Sequence, residues 1–430
     1  MILMPPAIDE ITPAVTASAS SAGNGLIATR AIGAGTTILQ VAPDVLASAW
    51  PCSLEECTIE EVAVLRQERG DGASFHSSGC DEWMCGEVQA LWLLAIRCAL
   101  KARRSPAFLA ALFELEDHCQ CRPAASQVVV TAAGVRLSGA LYAAGLVEQT
   151  SVWFSRLFGV LLTNAFGVRG GAALGSQRLD VRAPMLALSL SASLFNHRCD
   201  PNVATDHLLI DGVLSFRASQ SIAVGDECFI SYTATEEPTY VRQRELLRAK
   251  QFHCRCSLCV DPLESDRCSS FLRCLHCERG WQRQQTGDAT LSAATPNAPW
   301  RCSTCHAVTP YDQVIRWDDE QRAQLSALLP ADGMPCAGVE ARLRAFIAAA
   351  LRRCHPNHAL LLQARLALVA FGFDPPGAVR GMKDADDCLQ SKLHAANEAL
   401  SLAERIVCES GSFVTPLRPP LLPSLNPTRC

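Results

Sequence analysis

Ser193-Leu-Phe-Asn196-His197-Arg-Cys199-Asp-Pro201-Asn202 is the most informative run in this 430-residue chain. A little further on comes Gly225-Asp226-Glu227-Cys-Phe-Ile-Ser231-Tyr232. Around both, residues 185–232 read as short apolar runs cut by Asn, Asp, Gly and Pro, which predicts strands and tight turns. An Asn-His pair is weak by itself, because a turn uses those side chains equally well. Its weight comes from its surroundings.

Downstream, Arg242 to Lys250 predicts a short basic helix leading into Cys254-Arg-Cys256-Ser-Leu-Cys259. Three thiolates so close can reach one ion, and tetrahedral zinc then needs a fourth ligand from elsewhere. A second group, Cys274-Leu-His-Cys277 and Cys302-Ser-Thr-Cys305, forms two Cys-x2-Cys knuckles joined by a Gly/Ala/Thr/Pro-rich loop, a self-contained four-thiolate set. The alternative, unrelated buried thiols, suits isolated cysteines better than paired ones. His276, His306 and Cys268 lie beside the second set and are spare, since it is complete without them. About two structural zinc ions are expected. A closed four-ligand shell supports folding and leaves no position open for catalytic water.

The chain has 22 cysteines. Met1-Ile-Leu-Met-Pro-Pro-Ala-Ile-Asp-Glu10 lacks the basic start and apolar core of a secretory signal. A reducing compartment, cytosol or nucleus, is therefore expected, where close cysteine pairs mean metal more often than disulfide. No run of about 18 apolar residues predicts a membrane span. The net charge is −5, and the densest basic run is only Lys101-Ala-Arg103-Arg104. Direct nucleic-acid binding is not expected on that balance.

Further out, residues 1–20 read as a loose lead-in. Gly23 to Leu46 predicts two short strands joined by a Gly-rich turn. Residues 51–85 are irregular and carry Cys52, Cys57, His76, Cys80 and Cys85. Residues 86–117 read as helix with Leu91, Leu94, Ala95 and Cys98 on one face and a break at Pro106, and 151–166 as another. From about 317 to 408 the pattern is helical, with Leu360, Leu361, Ala364, Leu368 and Val369 as its buried face. His355-Pro-Asn-His358 suits a helix start better than a metal site. The last twenty residues hold five prolines and predict an extended tail.

Asn-His-x-Cys-x-Pro-Asn, Gly-Asp-Glu…Ser-Tyr and the trailing cysteine cluster together resemble a SET domain with its post-SET element. Gly23-Asn24-Gly25-Leu26, continuing to Gly35, is similar to that family's N-terminal strand pair. More narrowly, Leu115-Glu-Asp-His118, Thr163-Asn164-Ala165-Phe166, Lys250-Gln-Phe252-His-Cys254, Asp261-Pro262-Leu-Glu264 and His355-Pro-Asn-His358 resemble the SET-and-MYND (SMYD) lysine methyltransferases. One departure matters: the MYND finger's Cys-x2-Cys pairs are missing. Only His76-x3-Cys80 is similar to its end, and Cys52 and Cys57 are wrongly spaced. Residues 51–85 are therefore expected to hold a degenerate remnant or ordinary core thiols rather than a working two-zinc finger, a pattern that resembles the MYND-poor, SmydA-type proteins of arthropods.

The resemblance implies an α+β fold with these parts: lead-in 1–20, SET N-terminal part 21–50, degenerate MYND-like insertion 51–85, helical insertion 86–160, SET core 161–235, zinc-binding post-SET 236–265, four-cysteine zinc knuckles 266–310, all-α C-terminal domain 311–410 and Pro-rich tail 411–430. It implies an S-adenosylmethionine-dependent protein-lysine methyltransferase, monomeric, acting on a histone tail or a non-histone lysine. Tyr232 would be catalytic, its hydroxyl near the methyl. Asn24, Gly25, Leu26, Asn164, Ser193, Asn196, His197, Tyr232 and Phe252 would bind the cofactor, Phe252 by stacking on the adenine. Cys199 would complete the zinc site of Cys254, Cys256 and Cys259, stapling the Asn-His loop to the post-SET segment. Asp226 and Glu227 read as turn and solvated-face residues rather than acid or base. The intact Asn-His pair and Tyr232 favour an enzyme; the lost MYND pattern keeps a non-catalytic SET scaffold as the rival. A zinc-finger DNA binder fails for want of a basic recognition helix.

Overall fold

The computed structural model describes residues 14–20, 23–48, 86–146, 150–170, 185–205, 207–210, 212–285, 297–329, 338–371 and 382–407. Cys52, Cys57, His76, Cys80, Cys85 and the tail 411–430 lie outside them. Strands β1 (Val15–Ser20), β2 (Gly23–Ala28), β3 (Thr37–Val41) and β4 (Val45–Ser48) open the chain. Helices α1 (Gly86–Arg104), α2 (Pro106–Leu112), α3 (Ala124–Ala143) and α4 (Ser151–Asn164) follow. Seven strands come next: β5 (Phe166–Gly170), β6 (Met185–Leu188), β7 (Asn196–His197), β8 (Val203–Ala204), β9 (Leu208–Leu209), β10 (Leu214–Ala218) and β11 (Glu227–Ile230).

Helix α5 (Thr239–Lys250) and the single turn α6 (Ser257–Val260) lead into a small sheet of β12 (Leu272–Arg273), β13 (Trp281–Gln284), β14 (Trp300–Cys302) and β15 (Val308–Thr309). The chain then turns helical: α7 (Tyr311–Leu328), α8 (Val339–Leu351), α9 (Ala359–Phe371) and α10 (Met382–Val407). The fold is α+β, as expected.

Three small sheets, ordered β1-β2-β11-β7, β3-β10-β8 and β4-β6-β5-β9, enclose one apolar core built around Leu26, Ile38, Leu39, Phe195, Phe216 and Ile230. The lead-in expectation is corrected here. Residues 15–20 form β1 and pair along their whole length with β2, burying Ala14 and Val15. Their small side chains carry no sequence period, so only the partner strand gives them structure.

The helical insertion packs a second core of Leu94, Leu112, Leu137, Phe154, Leu157 and Leu161 against β4 and β6. The helix expected over 86–117 divides at Ser105-Pro106. Pro cannot continue the α1 ladder, and the Ser105 hydroxyl caps α2 by accepting from Phe108 N (3.2 Å). The helix expected over 151–166 stops at Asn164, where Ala165 turns extended and Phe166 enters β5.

A third core joins the C-terminal helices, including Leu360, Leu361, Ala364 and Leu368, to Tyr240 of α5 and Trp300 of the small sheet. His358 is buried just before α9, its Nδ1 accepting from Leu360 N (3.2 Å), which is the helix-start role its spacing predicts. Arg322 of α7 bridges Asp318 (2.7 Å) and Glu237 (2.8 Å), tying the segment before α5 to the helical domain. No helix among the described residues is long and apolar enough to cross a membrane.

Candidate functional site

Two distant segments meet on either side of β11. Glu227 and Cys228 register with Ile27 and Leu26 of β2, while Phe229 and Ile230 run parallel to Asn196 and His197 of β7. A two-residue strand needs further support. Arg198 N donates to Ile230 O (3.0 Å), and the Asn202 carboxamide donates to Glu227 O (2.8 Å) and accepts from Phe229 N (2.7 Å). Asn202 thus extends the ladder with its side chain.

Gly25 is the point of closest approach. A β-carbon there would lie 2.3 Å from Glu227 Oε1 and 2.9 Å from Asn196 Nδ2. Asn196 Nδ2 donates to Glu227 Oε1 (2.6 Å) and to Asn24 O (3.1 Å). The expectation that Glu227 faces solvent is therefore corrected: it is half-buried and forms a wall of this cradle. Strand alternation sends Cys228 and Ile230 inward and Glu227 the other way, and the Asn24–Gly25 backbone and Asn196 half-bury it on that other face. Asp226 keeps its turn role, accepting from Ala223 N (3.1 Å). The Leu26 side chain is wholly in the core, so that position can meet a ligand only through its backbone.

Tyr232 and His197 form the next layer. Tyr232 N donates to His197 Nδ1 (2.9 Å), which places the neutral imidazole's proton on Nε2, 3.2 Å from Cys199 Sγ. Burial holds His197 below the usual histidine pKa. The Tyr232 hydroxyl donates to Phe195 O (2.6 Å), and burial pushes its pKa up. Phe252 stands edge-on to Tyr232 with 6.5 Å between ring centroids and lies 5.8 Å from the His197 ring.

Lys250, to which the sequence motif assigned no site role, places its ammonium 5.1 Å from the Tyr232 ring centroid and donates to Thr163 O. That bond brings the end of α4, and with it Asn164, to the same region. Asn164 Nδ2 donates to Val160 O and Glu116 O (2.8 Å each), and Ser193 Oγ donates to Ser189 O (2.7 Å), so both side chains are engaged by nearby backbone.

The thiol groups assemble as two sets. Cys199, Cys254, Cys256 and Cys259 have their sulfurs all within 4.8 Å of one another, as do Cys274, Cys277, Cys302 and Cys305. A tetrahedron of zinc–sulfur bonds of about 2.3 Å has sulfurs about 3.8 Å apart. Cys199 and Cys259 lie 3.4 Å apart, Cys274 and Cys305 3.6 Å, and Cys277 and Cys302 3.7 Å. The donor sets fit zinc, and His276, His306 and Cys268 belong to neither.

In the first set the thiols polarise one another: hydrogen bonds from Cys199 and its neighbours drive Cys254 towards thiolate, while Cys199 is driven up. In the second, the backbone N–H groups of Arg279 and Gly280 pull Cys277 down to about 6. Gly280 has no alternative there, since a β-carbon would lie 2.5 Å from Cys302 Sγ.

Arg242, read from sequence only as part of a basic helix, is fully buried behind the first set. Its Nη2 lies 3.7 Å from Cys259 Sγ and 2.8 Å from Thr239 Oγ1. Burial alone would lower its pKa, but Cys199, Cys259 and Glu264 outweigh that and raise it. Glu264 in turn accepts from Thr239 N (2.5 Å) and Ser269 Oγ (2.6 Å). A buried guanidinium beside four sulfurs offsets the excess negative charge that a zinc tetrathiolate carries.

Residues 23–233 match the family model described as the SET domain. The SET domain-containing protein SmydA-8, isoform B, of Drosophila melanogaster is 30% identical over 167 residues, covering 39% of this chain and 35% of that protein. A SET and MYND domain-containing protein of Dictyostelium discoideum is 32% identical over 111 residues, covering 26% of this chain and 32% of that one. The chain thus matches about a third of the length of these curated relatives. Among solved structures, the SET domain of LSMT bound to lysine and AdoHcy superposes with a TM-score of 0.36 at 15% identity, covering 94% of this chain and 87% of that one. Rubisco LSMT bound to AdoMet gives 0.35 at 13% identity, covering 94% and 87%. At such TM-scores neither overlap supports a functional conclusion.

Proposed function

The chain carries a SET domain and has SMYD-like relatives, and from that premise we propose that it methylates the side-chain amine of a protein lysine, using S-adenosylmethionine. The observation that carries this reading is the cradle over Gly25, where Asn24, Asn196 and Glu227 converge from β2, β7 and β11. A β-carbon at residue 25 would strike both side chains, so only glycine lets Asn196 and Glu227 close over the β2 backbone, and these are the groups placed to hold a ligand there. S-adenosylmethionine, when bound, supplies a methyl group on a cationic sulfur.

The chain's own groups account for the rest. Asn196, with the Asn24–Leu26 backbone, holds and orients; Phe252 stacks on the adenine; Asn164 and Ser193 border the pocket. Free lysine has a pKa of about 10.4, so an attacking amine must first lose its proton. Tyr232 and Phe252 line a poorly hydrated approach, which disfavours ammonium. The Tyr232 hydroxyl, fixed on Phe195 O, steers the amine into line with the methyl. Zinc on Cys199, Cys254, Cys256 and Cys259 would staple the Asn196-His197 loop to the post-SET segment, with the His197 Nε2 proton aimed at Cys199 as the link. The second zinc would hold the small sheet. The substrate is a histone tail or a non-histone lysine, the chain acts as a monomer in cytosol or nucleus, and channel width sets the methyl count.

One observation favours a non-catalytic scaffold: the Asn196 amide already has two internal acceptors. Calorimetric titration of S-adenosylmethionine into zinc-loaded protein, beside an Asn196→Ala/Tyr232→Phe variant, decides between them. Saturable binding by the native chain, lost or sharply weakened in the variant, supports the enzyme. No binding by folded, zinc-replete native protein leaves the scaffold.

A further inference from the structure

The outer face of the small sheet β12-β13-β14-β15 concentrates arginine, with no ion-pair partner among the described residues. Its inner face is fixed by Leu272, Gln282, Trp300 and Cys302, all exposed by 1% or less. Register then puts Arg273, Trp281, Arg283 and Arg301 on the opposite face. Arg283 and Arg301 are direct cross-strand partners, and Arg273 is paired with Trp281. At the outer edge of β12, the Leu272–Cys354 bridge and the bond from Arg273 N to Arg353 O (2.7 Å) set Arg353 beside Arg273.

Like charges directly opposed on a sheet are destabilising. The ion pairs among the described residues include none from a carboxylate to Arg273, Arg283 or Arg301. Nor are they background in a basic protein, since the chain's net charge is −5.

We propose that this face docks an acidic protein segment, a run of Asp and Glu side chains received by the guanidinium groups of Arg273, Arg283 and Arg301. Arginine presents a planar fork that matches a carboxylate, and Arg273 and Arg301 are exposed. The same groups could meet nucleic-acid phosphates, but two observations favour carboxylates. Trp281 already carries the Arg273 guanidinium 5.0 Å over its ring and the His355 ring at 4.9 Å, so it offers bases no stacking platform. The sequence also has a net charge of −5 and no basic run denser than Lys101-Ala-Arg103-Arg104, a poor match to backbone binding. The acidic segment resolves the Arg283–Arg301 repulsion by inserting negative charge between them. This surface is independent of the cofactor cradle and of methyl transfer.

The test is fluorescence anisotropy of a labelled oligoglutamate peptide titrated with full-length, zinc-replete protein at two salt concentrations. Native protein binds saturably and more weakly at the higher salt. Arg283→Gln/Arg301→Gln binds at least about tenfold more weakly, as loss of charge-assisted hydrogen bonds requires. Arg301→Glu abolishes binding while its melting temperature is no lower than native, because it pairs with Arg283 internally. Unchanged zinc content in both variants shows that the sheet is intact. The proposal is overturned if native protein does not bind, if the variants bind as well as native, or if a single-stranded oligoribonucleotide binds more tightly than the peptide and is lost in the same variants.

Discussion

A single methyl added at Gly25 would come within 2.3 Å of Glu227 Oε1, and the carboxylate cannot swing aside without releasing Asn196. Gly25→Ala should therefore act on ligand binding more than on folding. We expect S-adenosylmethionine affinity to fall about tenfold, equivalent to one lost charge-assisted hydrogen bond, with little change in melting temperature. Calorimetry beside thermal melting checks this; a melting loss without an affinity loss would contradict the cradle. Tyr232→Phe removes the hydroxyl fixed on Phe195 O but keeps the ring. Single-turnover methyl transfer to a lysine peptide should slow by about 100-fold or more, while cofactor affinity stays near native. A Tyr232→Phe enzyme of native rate would show that the ring alone matters.

At the scale of elements, α5 carries more than its sequence advertised. A basic stretch before a cysteine cluster looks like a solvated helix. In the fold Arg242 points inward and becomes a buried partner of the Cys199 and Cys259 sulfurs, with Glu264 and Thr239 fixing it. Arg242→Met should lower the zinc affinity of the first set by about 10- to 100-fold, as loss of an outer-shell partner does, and leave the second set unaffected. Competition with a chromogenic chelator would resolve the two ions. Equal release from both sets in native and variant protein would rule the role out. Neighbouring elements were legible to different degrees. Paired cysteines declare themselves because a metal needs several thiolates close together, whereas β1 has no pattern of its own and exists only against β2.

Across the whole molecule, the segment before α5 and the C-terminal helices share a polar seam of Glu237, Asp318, Arg322, Gln363 and His358. Burial pushes the pKa of His358 down to about 4, against an ordinary value near 6.5. Between those values the unfolded chain binds the proton and the folded one does not, so stability falls as pH drops from about 6.5 towards 4. The full effect is on the order of 3 kcal/mol, reached near pH 4. Urea unfolding at pH 7.5 and pH 5 should show a loss that His358→Gln substantially flattens. An unchanged pH slope in that variant would assign the dependence to other groups.

What the sequence determined by itself were features that depend on residues close together along the chain: the cysteine knuckles, the α5 and C-terminal helices, the strand-and-turn character of 185–232, and the SET resemblance of residues 196–202 and 225–232. Local spacing dictates these, because a helix face or a Cys-x2-Cys knuckle is complete within a few residues. Tertiary structure alone decided which face of β11 met Asn196 and Gly25, that Arg242 turned towards sulfur, and that Arg283 met Arg301. Each depends on strand register or helix rotation against a distant partner, and a one-residue shift in register would send the same side chains to the other face.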